Sequence, residues 1–541
     1  MAFLKSEKKK SGTYLRMVES YRDENGKPRH RTLCSLGKAE DYSKKTLRRI
    51  GQIFLELAGE KSGADMLNSI KEIKRLNYGF PLVYDKVMQH YGLDKLLENI
   101  GKRHDLSYDL YRHVLLMLIE RLNDPSSKLC NYNHQEEYLG FSGMQLQHFY
   151  RSLNYLNDNH EIIQEQIYRS GRHLFNQKLD LVFYDVTTFY FDSEKEDGFR
   201  MKGFGKDGKI GKTLIVFGML IDKDKNPVGY NIYQGGFYEG HTFKDAVDKL
   251  KKKYEIEKII TVADRGMMSQ GNVSIVEDEA EYEYIIGERL RNLPKKIQDK
   301  ILNRKAYKKL DITDETSGEI IEIEYLELQY KGKRLITTYS RKRAKKDRHE
   351  REERIKKGRQ MLEHQSVIEK KARRNFLKQE EKSKKYVVDE AKILRDEQFD
   401  GLACIATNNV ELGTEEILSA YKQLYKIEHT FRTFKSYLET RPMFHWTEER
   451  IKGHLCLCYI AFTLLNYLSN KLRNNNLNLS ENKIREALSK MQLSQIELDG
   501  KDFYLRSSIS ENSQKLLSLL NLKKPPDFTK ISDISNYIPI S

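Results

Sequence analysis

Residues 179–191 read LDLVFYDVTTFYF, and apolar or β-branched side chains fill both alternating sets of positions. That is the pattern of a strand covered on both faces. One residue breaks it. Asp185 shares a face with Leu181, Phe183, Thr187 and Phe189, and a buried carboxylate there needs a cation or a set of hydrogen bonds. Taken alone, a strand-end aspartate satisfied by a neighbouring loop is the simpler alternative. A second short apolar run, 259–263 (IITVA), is followed at once by Asp264, Arg265 and Gly266, and then by Ser269, a residue type that caps helices. Functional groups collect at the carboxyl ends of strands in open α/β sheets, although aspartate is also a common turn residue. A third acid stands in a helical pattern. Thr414 can cap a helix whose first turn holds Glu415 and Glu416, and Ile417, Tyr421, Leu424 and Phe431 form one stripe along it. Glu428 falls on that stripe, with Lys435 about 10 Å further along the same face. A glutamate among core positions asks for an explanation. An exposed Glu428–Arg432 pair at i,i+4 is the alternative.

The remaining periodicity predicts a mixed α/β chain in six parts. Residues 1–80 form a basic hairpin and linker region, in which 14–22 and 29–36 are strands joined at Asn25-Gly26 and 44–73 is helical. Residues 81–176 are helical, including an apolar helix that Ser107 caps and that ends before Asp124-Pro125. Residues 177–288 and 401–474 are the two parts of one core. After the Asp185 strand, segments 214–221 and 228–233 are antiparallel strands, 241–254 is a helix, and 282–286 is a further strand beyond the Asp264 strand. Residues 289–400 are an insertion with strands at 319–330 and 334–339. A charge-dense helix follows at 341–385, its i,i+4 pairs being Asp347/Arg351, Glu350/Arg354 and Glu353/Lys357. Residues 475–541 are an appended helix, strand and helix.

Charge adds a partner. The 541 residues carry a net +16, from 95 basic and 79 acidic side chains, which points to a polyanion. The glycine- and lysine-rich segment 202–212 (KGFGKDGKIGK) lacks the Walker A order, so an ATP cradle is not expected. Its Lys206, Lys209 and Lys212 can grip a DNA backbone or form a solvated hairpin loop. Five cysteines, mostly in apolar runs, fit reduced thiols of a cytosolic protein, and Cys456-Leu457-Cys458 has the wrong spacing for a zinc knuckle. The chain runs from MAFLK into charged residues without the apolar stretch of a signal peptide. Its longest apolar run, 455–465, is too short to span a bilayer.

Asp185, Asp264 and Glu428, with no recurring histidine or cysteine partner, suit hard divalent cations that prefer oxygen ligands, Mg2+ or Mn2+. Two such ions can activate an attacking oxygen and stabilise a leaving one in phosphoryl transfer. At this point a family resemblance becomes specific. The segment YKQLYKIEHTFRTFK places Tyr421, Glu428 and Lys435 at the spacing Tyr-x2-Arg-x3-Glu-x6-Lys, with Leu424 where the Arg is expected. With the blocks YDVTTFYF, GFGKDGK…IVFGMLID and VADRGMMS, the chain resembles the DDE transposases of bacterial insertion sequences. The resemblance implies an RNase H-like core, with Asp185, Asp264 and Glu428 as its metal-binding catalytic triad. Flanking it are the N-terminal β-hairpin and helical region and a β-rich and helical insertion that covers the active site. DNA contacts are expected from Tyr421 and Lys435, and Arg432 or Lys426 stands in for the missing Arg. The implied partners are double-stranded DNA, as terminal inverted repeats and as target, and a second copy of the chain in the DNA complex. No membrane is implied, and the implied location is the bacterial cytoplasm at the nucleoid. The implied activity is cleavage of element ends and joining of 3′-hydroxyls to target DNA. An RNase H-like nuclease without strand transfer and an inert DNA-binding relic are the alternatives.

Overall fold

A computed structural model describes residues 2–59, 70–175, 181–203, 211–236, 245–246, 248–249, 260–263, 283–313, 320–363, 376–380, 385–441, 443–498 and 500–538. They fall into two compact units: Met1–Leu76 with Gln492–Ser507 and Pro525–Tyr537, and Asn77–Met491 with Ser508–Lys524 and Ile538–Ser541.

In the first unit, β1 (Ala2–Lys9), β2 (Gly12–Arg22) and β3 (Pro28–Lys38) form an antiparallel sheet. The Asn25-Gly26 turn is there. Gly26 takes φ +75°, which a glycine adopts without steric cost, and its N–H donates to the Asp23 carbonyl at 2.8 Å. Two of this hairpin's basic residues meet carboxylates, Arg31 on Glu19 (2.6 Å) and Arg29 on Asp23 (3.0 Å). Next come α1 (Lys44–Leu57) and β4 (Lys71–Asn77). Residues 71–73, expected at the end of a helix, are therefore strand, because β4 pairs with Gln492–Leu498 near the other end of the chain.

The second unit opens with the helices α2 (Gly79–His90), α3 (Leu93–Arg103), α4 (Leu110–Asn123), α5 (Lys128–His134), α6 (Leu146–Asp158) and α7 (His160–Phe175). Asp109 caps α4, accepting from Arg112 N–H at 3.0 Å, in place of the expected Ser107. Then follow β5 (Leu181–Tyr190), β6 (Met201–Lys202), β7 (Thr213–Asp222), β8 (Pro227–Gln234), β9 (Ile260–Ala263) and β10 (Glu283–Glu288). β7 is antiparallel to β5 and β8 is antiparallel to β7, whereas β9 is parallel to β5 and β10 parallel to β9.

Between β10 and the Glu428 segment lie α8 (Lys295–Leu302), β11 (Lys308–Thr313), β12 (Ile320–Tyr330), β13 (Lys333–Tyr339), α9 (Arg341–Glu363), the small pair β14 (Leu377–Gln379) and β15 (Tyr386–Val388), α10 (Glu390–Glu397) and β16 (Leu402–Thr407). The strands expected of the insertion are present, but they extend the core sheet. Its order runs β11-β12-β13-β16-β10-β9-β5-β7-β6, with β8 also on β7. They lie beyond β16, at the edge away from β5, which corrects the expectation of a β-rich cover over the acids. The charge-dense helix is shorter than expected, since 377–379, within the expected 341–385, is a strand paired with 386–388. Within it, Glu350 pairs with Arg354 at 3.6 Å as expected, whereas Arg351 is buried on Asp400 instead of meeting Asp347.

After β16 come α11 (Thr414–Lys422), α12 (Tyr425–Arg432) and α13 (Glu448–Asn474). α13 is long and apolar enough to cross a membrane, but 94% of its most apolar window is buried inside the protein. It is a core helix against α4 and α6. Gly453 permits the closest approach: a Cβ there would lie 1.9 Å from the Leu153 carbonyl oxygen of α6. The tail is not one appended unit. The helices α14 (Glu481–Ser489) and α15 (Glu511–Leu519) pack in the second unit, whereas β17 (Gln492–Leu498), β18 (Lys501–Arg506) and β19 (Phe528–Lys530) form a four-stranded sheet with β4 in the first.

Candidate active site

Register fixes which way the Asp185 strand faces. Asp185 stands opposite Met219 and Thr187 opposite Phe217 on β7, and Phe183 stands beside Val262 on β9. Directly paired residues project to one side of a sheet. Phe183, Asp185, Thr187, Phe189, Phe217 and Met219 therefore share a face. The opposite face carries Val182, Tyr184, Val186, Leu214, Val216 and Leu220, packed into an apolar cluster with Ala263, Tyr284 and Ile286. Asp185 is half-buried and its Oδ1 accepts from the Val186 N–H at 2.8 Å. One step along the same face, the Thr187 hydroxyl is buried without a hydrogen-bond partner among the described residues. Asp264 lies outside the described residues; β9, which ends at Ala263 immediately before it in sequence, is the parallel neighbour of β5.

Helix α12, which carries Glu428, packs against this face. Its buried residues are Ile427, Thr430 and Phe431, and the inward stripe runs Leu424, Ile427, Phe431, Phe434 and Leu438 at spacings of three and four. Glu428 is exposed, one residue round from that stripe, and forms no hydrogen bond or ion pair with the described residues, Arg432 included. The expectation of a core-facing Glu428 is corrected for a physical reason: Ile427 fills the inward slot without the cost of desolvating a charge. Thr414, expected as the cap of the preceding helix, is its first residue instead and donates to Glu327 Oε2 at 2.7 Å. α12 packs directly on β5. Phe217 lies 6.5 Å from Phe431 and 5.6 Å from Phe434, ring centre to ring centre, and 5.5 Å from Phe189. Through these rings Glu428's helix is seated on the face that carries Asp185. Such offset and edge-on aromatic contacts add to the energy of burial itself.

Beyond α12, residues Thr433–Tyr437 form a π-helical turn that carries Lys435. Turns of this kind are frequent at functional sites. Its end is held by Arg121, donating to the Leu438 carbonyl at 3.2 Å, and by Arg485, donating to the Tyr437 carbonyl at 3.2 Å. Lys435 is half-buried and Arg432 is exposed. Tyr421 lines a separate cleft of about 630 Å³ in which Arg291, Arg343 and Arg354 are paired with Asp396, Asp347 and Glu350. Leu424, at the position of the expected Arg, is buried. Lys426 donates to the Lys223 carbonyl at 2.6 Å and ties α12 to the β7–β8 turn. Lys212 pairs with Asp192 at 2.7 Å, which raises its pKa; Lys206 and Lys209 lie outside the described residues.

The sequence did not point to one further cluster of ligand-type side chains. Glu120, Cys130 and His134 bring ligand atoms within 4.8 Å of one another. Glu120 is nevertheless already occupied: it accepts from Tyr138 OH at 2.7 Å, Asn131 Nδ2 at 3.2 Å and Ser126 Oγ at 3.3 Å, with His134 Nδ1 at 3.1 Å. The i,i+4 spacing of Cys130 and His134 on α5 is the only trace of it in the sequence.

Comparison with known proteins bears on these sites. Residues 4–64 match the IS1634 family transposase N-terminal domain, and residues 176–464, more than half of the chain, match the transposase DDE domain. No curated protein matches. Among solved structures, the chain is similar to a piggyBac transposase synaptic complex with hairpin DNA. The identity is 10%, the TM-score 0.36, and the match covers 76% of this chain and 78% of that one. The DDE match contains β5, β9 and α12 whole, and with the N-terminal match it places this chain in the DDE transposases of insertion sequences.

Proposed function

We propose that this transposase cleaves element ends and joins the freed 3′-hydroxyls to target DNA by divalent-metal-dependent phosphoryl transfer, on an RNase H-like core. The strand order β8-β7-β5-β9-β10, antiparallel through the first three and parallel through the last three, supports the core assignment. The observation that carries the site is the seating of the Glu428 helix on the Asp185 face. Asp185, Asp264 and Glu428 would hold the ions. The donor set fits Mg2+ or Mn2+: it is all oxygen, Glu428 has no other partner among the described residues, and the orphaned Thr187 hydroxyl sits beside Asp185. Bound there, such ions would activate the attacking oxygen and stabilise the leaving one.

In the first step water attacks the scissile phosphorus, the bond to the 3′-oxygen breaks, and that oxygen departs as a 3′-hydroxyl. In the second this hydroxyl attacks a target phosphodiester, forming a new bond to phosphorus while the target's own 3′-oxygen leaves. Lys435, on the π turn after α12, and exposed Arg432 hold phosphates beside the acids, and Tyr421 contacts DNA from the cleft it lines. Two copies act together on double-stranded DNA at the nucleoid in the cytoplasm.

The test is cleavage of a labelled duplex bearing an element end at millimolar magnesium, by the parent and by Asp185→Asn. The parent should cut. The variant should bind the duplex as tightly and leave it intact. Cleavage by a well-folded Asp185→Asn protein at the parent's rate would overturn the reading.

A further inference from the structure

Within the second unit, a pocket of about 570 Å³ lies among α12, the C-terminal half of α13, the β7–β8 turn and the segment entering α14. Its walls are cationic. Lys225 enters from the turn, where it adopts φ +64°, and its half-buried ammonium has no hydrogen bond or ion pair with the described residues. Among the described residues, Arg473 of α13 bonds only the Asn470 side-chain oxygen, at 3.2 Å, while Arg432 and His429 of α12 pair with no carboxylate. One carboxylate lines the pocket, Glu481, and it accepts from Thr433 Oγ1 at 3.0 Å.

The charges do not cancel. Burial, then the nearby Arg473, lowers the Lys225 pKa, and burial raises that of Glu481. Like charges gathered in partly desolvated surroundings are costly unless an anion joins them. The volume exceeds that of one small ion, and Arg432 and Arg473 stand exposed at its mouth. Arg432 is one helical turn from Glu428, about 6 Å along the axis.

We propose that Lys225, Arg432 and Arg473 form a phosphate-binding site that grips the DNA backbone next to the acidic site. The assignment rests on the reading of the protein as a DNA-processing enzyme. It adds an anchor that places a neighbouring phosphodiester while the scissile one lies at the acids. The Lys225 contribution comes from the β7–β8 turn, far from α12 in sequence.

The test is DNA affinity as a function of salt, for the full-length parent, for Lys225→Met/Arg473→Gln, and for the charge-keeping Lys225→Arg/Arg473→Lys. Loss of one phosphate contact should lower the slope of log affinity against log salt by about 0.9 and weaken binding roughly tenfold at about 0.1 M salt. The charge-keeping variant should retain the parent's slope. A folded Met/Gln variant with the parent's slope would overturn the site. An unchanged slope accompanied by stabilisation of the parent alone in inorganic phosphate would assign the pocket to a free anion and overturn the DNA assignment. If the double variant does not fold, Arg473→Gln, altering an exposed side chain, is read in the same way. A parent that binds no DNA overturns the functional reading together with this one, whereas a parent that binds with a slope the variants do not change overturns this one alone.

Discussion

Two regions of the second unit each hold carboxylates of candidate ligand type, and they treat them oppositely. Around Glu120 every interaction is internal: the carboxylate is 1% exposed and collects donors from Tyr138, Asn131 and Ser126, with His134 alongside. Around Asp185 and Glu428, burial belongs to the scaffold. Phe189, Phe217, Phe431 and Phe434 lock the helix to the strand, and Glu428 is turned out to solvent. A saturated buried acid serves the fold, since removing it strands its donors. An exposed acid on a rigidly seated helix costs the fold little and remains available for ligands. Geometric convergence of ligand atoms therefore misleads at Glu120, and the lack of internal partners is the better sign at Glu428.

The largest expected effect falls on the open region. Glu428→Gln should lower DNA cleavage by at least about 1000-fold, about 4 kcal/mol of barrier, while unfolding free energy moves by no more than about 0.5 kcal/mol. A gel-based cleavage assay paired with a denaturant melt checks both, and a large loss of stability would erase the contrast. Glu120→Ala should do the reverse. It should cost about 3 kcal/mol of stability by leaving its donors unpaired, with cleavage per folded molecule retained. If this variant lost activity while remaining folded, the closed region would have a catalytic part.

A smaller change tests the packing behind the closed region. Gly453→Ala places a methyl against the Leu153 carbonyl and should cost about 2 kcal/mol, read as a lower melting temperature. Lys128, fully buried and donating to Asn131 at 3.0 Å, has its pKa pushed down to about 7 by burial, with Arg121 adding to the effect. Between that value and its ordinary one near 10.5, the unfolded chain binds more protons than the folded one, so stability from this group rises with pH. It is fully present above the ordinary value and lost as pH falls through about 7. Lys128→Met should therefore flatten the rise in melting temperature between pH 7 and pH 10; an unchanged profile would deny the shift. The smallest effect is expected at Lys212, whose pair with Asp192 is exposed. Lys212→Met should leave the melting temperature where it is, and it should lower the salt slope of DNA binding only if this lysine touches DNA.

Much of the core was legible because it is written in short-range pattern. Apolar residues on both faces of 179–191 define a central strand with one acid in it, and that strand is Leu181–Tyr190. The segments 214–221 and 228–233 became β7 and β8, and Asn25-Gly26 became the turn between β2 and β3. The motif around Tyr421, Glu428 and Lys435 pointed to the DDE transposases, in which the matched domains place the chain.

Only the tertiary structure decided the rest. Periodicity marked a stripe through 424 and 431 but could not choose between residues 427 and 428 as the position between them; burial chose Ile427, because an isoleucine gains by leaving water and a carboxylate loses. Strand propensity at 320–330 and 333–339 did not tell which sheet they join, and backbone pairing with β16 made them part of the core. Lys71–Asn77 became a strand because a partner more than 400 residues away offered its edge. Side-chain alternation is a property of neighbours along the chain, whereas sheet order and the choice of a buried face are settled between segments the sequence keeps far apart.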